Sequence, residues 1–176
     1  ELLPGKQPHV HKQYRINPVR REWFECECQK LLADGTIEEA DSAWNNRVVF
    51  HDKDGKKTRM CLDRKDLNLK IKSKAYALPR IADTLDCMGG AKYFSVFDVR
   101  SGYFNLKLSE ESRDYTAFQG PRAQYRYKVL PFGVMTGPAI FQRLAHSMLG
   151  KLAWTSVLCY MDDLCVFSKT FAEHMV

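Results

Sequence analysis

A chain of 176 residues, 45% of them hydrophobic, is long enough for one good core or two small subdomains and has the composition of a globular protein. No stretch approaches the ~20 consecutive apolar residues of a membrane span and no charged leader with an apolar core opens the chain, so a membrane protein is excluded and an intracellular one expected. The net charge of +6 is concentrated: between Lys53 and Arg80 ten Lys or Arg face three Asp or Glu, a run that alone reads as a solvated surface and beside a metal site reads as phosphate contacts.

The first segment, through Ile16, reads as extended and polar. Asn17-Pro18 then offers an N-cap and a first-turn proline for a helix reaching Asp34, and Gly35 ends it. Trp23, Phe24, Leu31 and Leu32 form its apolar stripe. Cys26 and Cys28 lie on this helix, but a two-residue spacing sends the thiols to different faces, which argues against zinc with His9 and His11. The six cysteines together resemble no small secreted scaffold, so buried, reduced thiols are expected.

Arg47 to Phe50 and Thr58 to Leu62 read as a hairpin around Asp54-Gly55. A helix from Pro79 to Met88, stopped by Gly89-Gly90, leads into the strand Tyr93 to Asp98. Tyr115 to Gln119 and Gln124 to Leu130 read as strands joined through Gly120-Pro121. A helix from Pro138 to Leu149, stopped by Gly150, precedes two short apolar runs, Thr155 to Cys159 and Leu164 to Ser168. The pattern predicts an α+β fold, with helices on one face of an antiparallel sheet.

Tyr160-Met161-Asp162-Asp163 sits between those last two runs and reads as a hairpin turn carrying two carboxylates. Ionised carboxylates are costly to bury unless paired or metal-bound, although Asp-Asp in a solvated turn is also ordinary chemistry. Asp98, at the end of a strand far away in sequence, brings a third carboxylate. Mg²⁺ takes a couple of protein carboxylates completed by water and substrate phosphates, and two such ions would serve an in-line displacement at phosphorus. The chemistry implied is nucleotidyl transfer.

Many stretches carry one resemblance. They are Arg59-Met60-Cys61-Leu62-Asp63 with Asp66-Leu67-Asn68, Tyr76 to Ile81, Gly89 to Ser95, and Asp98-Val99-Arg100-Ser101-Gly102-Tyr103. They continue with Tyr115 to Phe118, Leu130-Pro131-Phe132-Gly133, Gly137-Pro138 with Phe141-Gln142-Arg143-Leu144, and Tyr160 to Asp163. In order and spacing the chain resembles the fingers and palm of a right-hand reverse transcriptase, of the gypsy-type long-terminal-repeat retrotransposons and their retroviral relatives.

The resemblance implies an RNA-directed DNA polymerase that uses two Mg²⁺, or Mn²⁺ in their place. Asp98, Asp162 and Asp163 would be the catalytic and metal-binding carboxylates, with Asp98 and Asp162 the main ligands. Arg59 and Lys53 would contact the triphosphate, and Tyr103 would be the steric gate against a ribose 2′-hydroxyl. Val99, Phe132, Gly133 and Met161 would complete the nucleotide pocket. The basic residues Lys56, Lys57, Arg64, Lys65, Lys70, Lys72 and Lys74 would meet nucleic acid.

Residues 1–92 would be an N-terminal extension and mainly fingers, and 93–176 mainly palm, with fingers recurring near 109–130. The implied partners are an RNA or DNA template with its primer and deoxynucleoside triphosphates. A thumb, ribonuclease H and integrase are expected elsewhere in the same polyprotein, and the implied location is a cytoplasmic particle or the nucleus. Three departures stand out: a fingers hairpin, His51 to Thr58, one residue longer than usual; Arg64 where the family more often has an aromatic residue; and Thr136-Gly137 in place of Asn-Ala. A nucleic-acid-binding remnant without synthesis is the alternative from another class. An RNA-dependent RNA polymerase is disfavoured by Tyr103 and by the form of the Asp hairpin.

Overall fold

The computed structural model describes residues 2–53, 57–73 and 76–175 and, at 52, 53, 57 and 58, the backbone alone. In chain order its first elements are α1 (Pro18–Ala33), β1 (Ile37–Glu39), β2 (Arg47–Lys53), β3 (Lys57–Asp63), α2 (Lys65–Asn68), α3 (Ile81–Cys87) and β4 (Tyr93–Asp98). There follow α4 (Glu110–Arg113), β5 (Phe118–Gln119), β6 (Gln124–Tyr127), α5 (Gly137–Leu149), β7 (Val157–Tyr160), β8 (Asp163–Ser168) and α6 (Phe171–His174). They form two compact units, Glu1–Ser73 with Tyr103–Met135, and Lys74–Gly102 with Thr136–Val176. No helix among the described residues is long and apolar enough to cross a membrane.

In the first unit, α1 starts where the sequence says it must. The Asn17 side chain accepts the Arg20 N–H at 2.8 Å and Pro18 occupies the first turn, so an otherwise unpaired backbone donor is satisfied. Gly35, at φ 69°, turns the chain out of the helix. Phe24 and Cys28 of α1 are buried with Ile37, Val48, Leu62, Phe118, Tyr125 and Tyr127, while Trp23, Leu31 and Leu32 pack against this cluster. Cys26 is exposed and Cys28 buried, as the two-residue spacing requires, and burial pushes the Cys28 thiol up to about 12.

Two antiparallel sheets complete this unit: β1–β6–β5, and the β2–β3 hairpin with Val48 opposite Leu62. The hairpin's Asp54-Gly55 turn lies outside the described residues. Arg126 of β6 holds Glu38 of β1 at 2.8 Å and Asp114 at 2.7 Å, and also pairs with Glu110 of α4. One half-buried guanidinium therefore ties three segments, a network stronger than isolated surface pairs.

The strand expected over Tyr115 to Gln119 is confined to Phe118–Gln119, because residues Asp114–Thr116 form a 3₁₀ turn. The Thr116 hydroxyl donates to the Arg113 carbonyl at 2.6 Å and accepts the Tyr127 N–H at 2.8 Å. A side chain thus replaces a ladder partner and ends the pairing there. The strand expected over Gln124 to Leu130 likewise ends at Tyr127.

In the second unit β8 lies between β4 and β7, all antiparallel. The register sets Phe94 opposite Phe167, Val96 opposite Cys165 and Asp98 opposite Asp163. Helix α5 packs against β7, with Phe141 and Gln142 buried. The helix expected over Pro79 to Met88 is shorter, Ile81–Cys87, because Arg80 is its N-cap with extended backbone (ψ 138°) and Met88 its C-cap.

Candidate active site

Strand β4 delivers Asp98 to one end of its sheet, and the register sets it across from Asp163, the first residue of β8. Tyr160 and Asp163 pair across β7 and β8, so Met161 and Asp162 are the two central residues of a tight turn. Such turns need left-handed backbone at defined positions, and Met161 adopts φ 54° without being glycine. The Val99 N–H, one residue beyond Asp98, donates to the Asp162 carbonyl at 2.9 Å. The end of β4 is thereby tied to the turn, and the three carboxylates lie at one end of the sheet.

Asp98 and Asp163 are exposed and Asp162 half-buried. Partial burial, then the charges of Asp98 and Asp163, push the Asp162 carboxyl above its ordinary value of 3.8. Asp162 Oδ1 is shielded from solvent and has no hydrogen-bond partner. An orphaned carboxylate oxygen beside two like charges is costly without a cation. Among the described residues no three His, Cys, Asp or Glu side chains are already gathered into a metal-ligand group. Mg²⁺ needs only one or two protein carboxylates besides water and phosphate. The donor set therefore fits a hard divalent cation.

Gly102, four residues past Asp98, is a site residue that its chemistry alone does not advertise. A Cβ built there would lie 3.0 Å from Asp162 Oδ1 and 3.0 Å from the buried Phe141 ring. Close approach, not backbone freedom, demands glycine. Gly102→Ala is expected to displace the Asp162 carboxylate and cost about tenfold or more in any activity it supports, since small misplacements near reacting groups are expensive. A variant with parental activity and an unshifted Asp162 signal by NMR would show the contact to be slack.

In the first unit, Tyr103 meets Phe132 edge-on, ring centroids 5.4 Å apart. Gly133, at φ 85°, is held by Asn68: the side-chain amide donates to the Gly133 carbonyl at 2.9 Å and its oxygen accepts the Met135 N–H at 2.8 Å. Arg59 is exposed on β3 opposite His51. Lys65 and Lys72 are exposed. Lys70 is engaged within its own unit, donating to the Gln7 carbonyl at 3.0 Å and lying over the Trp44 ring. Lys56 and Lys74, and the side chains of Lys53 and Lys57, lie outside the described residues.

Arg64 corrects an expectation. It is 3% exposed, so its guanidinium does not present a surface to nucleic acid. Its Nε, Nη1 and Nη2 are buried without a hydrogen-bond partner, and burial lowers its pKa from 12.5 to about 10. The side chain fills a position beside Tyr127 that suits an apolar or aromatic group.

Residues 51–176 match the family model described as reverse transcriptase (RNA-dependent DNA polymerase). The chain belongs to the reverse transcriptase family. It is 35% identical, over 99% of its length, to the retrovirus-related Pol polyprotein from transposon 412 of Drosophila melanogaster, and 35% identical, over 87%, to a putative enzymatic polyprotein of Cassava vein mosaic virus. It spans 14% and 24% of those relatives.

Among solved structures, the foamy viral protease-reverse transcriptase in complex with an RNA/DNA hybrid superposes with a TM-score of 0.86 at 23% identity, covering 97% of this chain and 23% of that one. The prototype foamy virus protease-reverse transcriptase CSH mutant gives 0.84 at 27% identity, with the same coverages. The right-hand fingers and palm fold is thereby established.

Proposed function

We propose that this chain carries the nucleotidyl-transfer centre of an RNA-directed DNA polymerase, adding deoxynucleoside monophosphates to a primer 3′ end on an RNA or DNA template. The observation that carries this reading is the orphaned Asp162 Oδ1 at a turn whose neighbours, Asp98 and Asp163, are also carboxylates. Asp98 and Asp162 are assigned as the main ligands of Mg²⁺, with Mn²⁺ as a substitute and Asp163 as the third carboxylate. When bound, the ions would neutralise charge and activate the 3′-hydroxyl for in-line attack.

The chain's own contribution is placement. The β4–β8 pairing and the Val99–Asp162 hydrogen bond fix the carboxylates before substrate arrives, and such preorganisation lowers a barrier without reorganisation during the reaction. We assign the first unit to fingers and the second to palm, which moves the boundary expected at residue 92 to Ser73 and widens the recurring fingers segment from 109–130 to 103–135. Arg59 and Lys53 are assigned to the triphosphate, and Val99, Phe132, Gly133 and Met161 to the nucleotide. Lys65 and Lys72, with Lys56, Lys57 and Lys74, are assigned to nucleic-acid phosphates. The transposon and virus polyproteins among the relatives support an origin in a retroelement; we assign it to the gypsy type, at an intracellular site, a cytoplasmic particle or the nucleus. The foamy viral complex with RNA/DNA hybrid supports the template.

Primer extension on an RNA template with Mg²⁺ tests the proposal, and Tyr103→Ala sharpens it. The proposed gate predicts that this variant incorporates ribonucleotides at least tenfold more readily relative to deoxynucleotides, the scale of about 1.4 kcal/mol in differential binding. Unchanged sugar discrimination would remove Tyr103 from the site.

A further inference from the structure

The turn bearing Asp162 is held from behind by one buried amide. Gln142 of α5 is 0% exposed. Its Nε2 donates to the Cys159 carbonyl at 2.6 Å and its Oε1 accepts the Met161 N–H at 3.0 Å. A carbonyl only accepts and a backbone N–H only donates, so the orientation of the amide is dictated by its partners. Its second N–H then faces His146 Nε2 at 3.0 Å, one helical turn further along the same face. That nitrogen must accept, so neutral His146 carries its proton on Nδ1 and donates it to the Tyr76 hydroxyl at 2.8 Å. Tyr76, His146 and Gln142 thus form a chain of directed hydrogen bonds ending on the turn.

What the chain holds is a strained conformation. Met161 at φ 54° is a side-chain-bearing residue in the left-handed region, a costly conformation that persists only where its surroundings fix it. The Gln142 amide grips both sides of this residue's position, through Cys159 before it and through its own N–H. If Met161 relaxed, Asp162, the next residue, would be re-aimed.

We propose that Gln142, oriented by His146 and Tyr76, is a positioning residue that sets Asp162 for the divalent cation. It rests on the reading of Asp162 as a cation ligand. Gln142 accounts for the full amide inventory of its pocket: two N–H groups and one oxygen, each with a single partner. An apolar side chain of similar length keeps the packing and loses all three bonds.

The test is Mn²⁺ binding to this chain by electron paramagnetic resonance, which needs no turnover, with a urea unfolding midpoint for each variant. Gln142→Met is expected to weaken Mn²⁺ binding about tenfold while remaining folded, the usual scale for groups that orient metal ligands. Gln142→Glu keeps an oxygen that accepts the Met161 N–H but loses the fixed donors to Cys159 and His146, and is expected to fall between the parent and Gln142→Met. Tyr76→Phe removes only the outermost bond and is expected to cost about two- to threefold. Gln142→Met with parental Mn²⁺ affinity, while Asp162→Asn loses binding, overturns the positioning role and leaves the metal site standing. Equal binding by the parent and Asp162→Asn overturns the metal reading itself, and the inference with it. Should Gln142→Met fail to fold, Tyr76→Phe decides, and parental affinity there overturns the proposal.

Discussion

Asp162→Asn is expected to abolish measurable primer extension while leaving the fold intact or more stable. The amide keeps the shape of the turn and removes the charge that a divalent cation needs, so the loss should reach about 4 kcal/mol of barrier, roughly a thousandfold in rate. Stability should move the other way. The folded protein raises the Asp162 pKa above 3.8, so it binds this proton more tightly than the unfolded chain does. Stability therefore falls as pH rises from the ordinary carboxylate value through the raised one, and the penalty is complete above the raised one. Removing the ionisable group relieves it. Activity lost with stability kept or gained is the signature of a residue retained for function, and urea titrations at pH 7 with and without Mg²⁺ measure it. A variant that loses stability and activity together would mark Asp162 as structural.

Arg64→Met is expected to stabilise the chain by about 3 kcal/mol at neutral pH, seen as a higher urea midpoint with an unchanged denaturant slope. Arg64 is enclosed with three unpartnered nitrogens, and a buried charge without a partner is among the costliest single features a fold carries. Its pKa, lowered to about 10 from 12.5, expresses the same cost. The unfolded chain holds this proton more tightly, so stability rises with pH across that window and the full penalty applies below it. An apolar replacement ends the penalty and keeps much of the packing. The pH dependence between 10 and 12.5 should flatten in the variant, and a lower midpoint would instead mean that Arg64 has a stabilising partner.

How far the sequence reaches can be seen residue by residue. Asn17, Pro18 and Gly35 announce both ends of α1, because caps act through bonds local to the chain. The Asp hairpin and the strand ending at Asp98 are legible for a similar reason: apolar runs and turn residues specify them within a few positions. The short strand Ile37–Glu39 is not, since three residues carry no period and their strand character comes from Tyr125 to Tyr127 across the sheet. Thr116 shows the same limit, because only the fold brings Tyr127 to its hydroxyl.

In the site, carboxylates are visible by their chemistry, whereas their supports are not. Gly102 reads as one glycine among ten, and its need for no Cβ is set by Asp162 and Phe141, distant in sequence. Gln142 and His146 carry a fainter signal, two hydrogen-bonding residues four apart beside the exposed Arg143 and Ser147 of the same helix, which is the pattern to examine for buried hydrogen-bond networks. Arg64 misled in the opposite direction. A basic residue inside a basic run reads as surface, and only the packing around it reveals an enclosed charge.

The central claim is that the three carboxylates at this end of the sheet are a working nucleotidyl-transfer centre. Its most direct test is primer extension on an RNA template with Mg²⁺ or Mn²⁺, comparing this chain with Asp98→Asn and recording template–primer binding in the same samples. The account predicts extension by the parent, none by the variant, and equal binding by both. Extension undiminished in Asp98→Asn would contradict it.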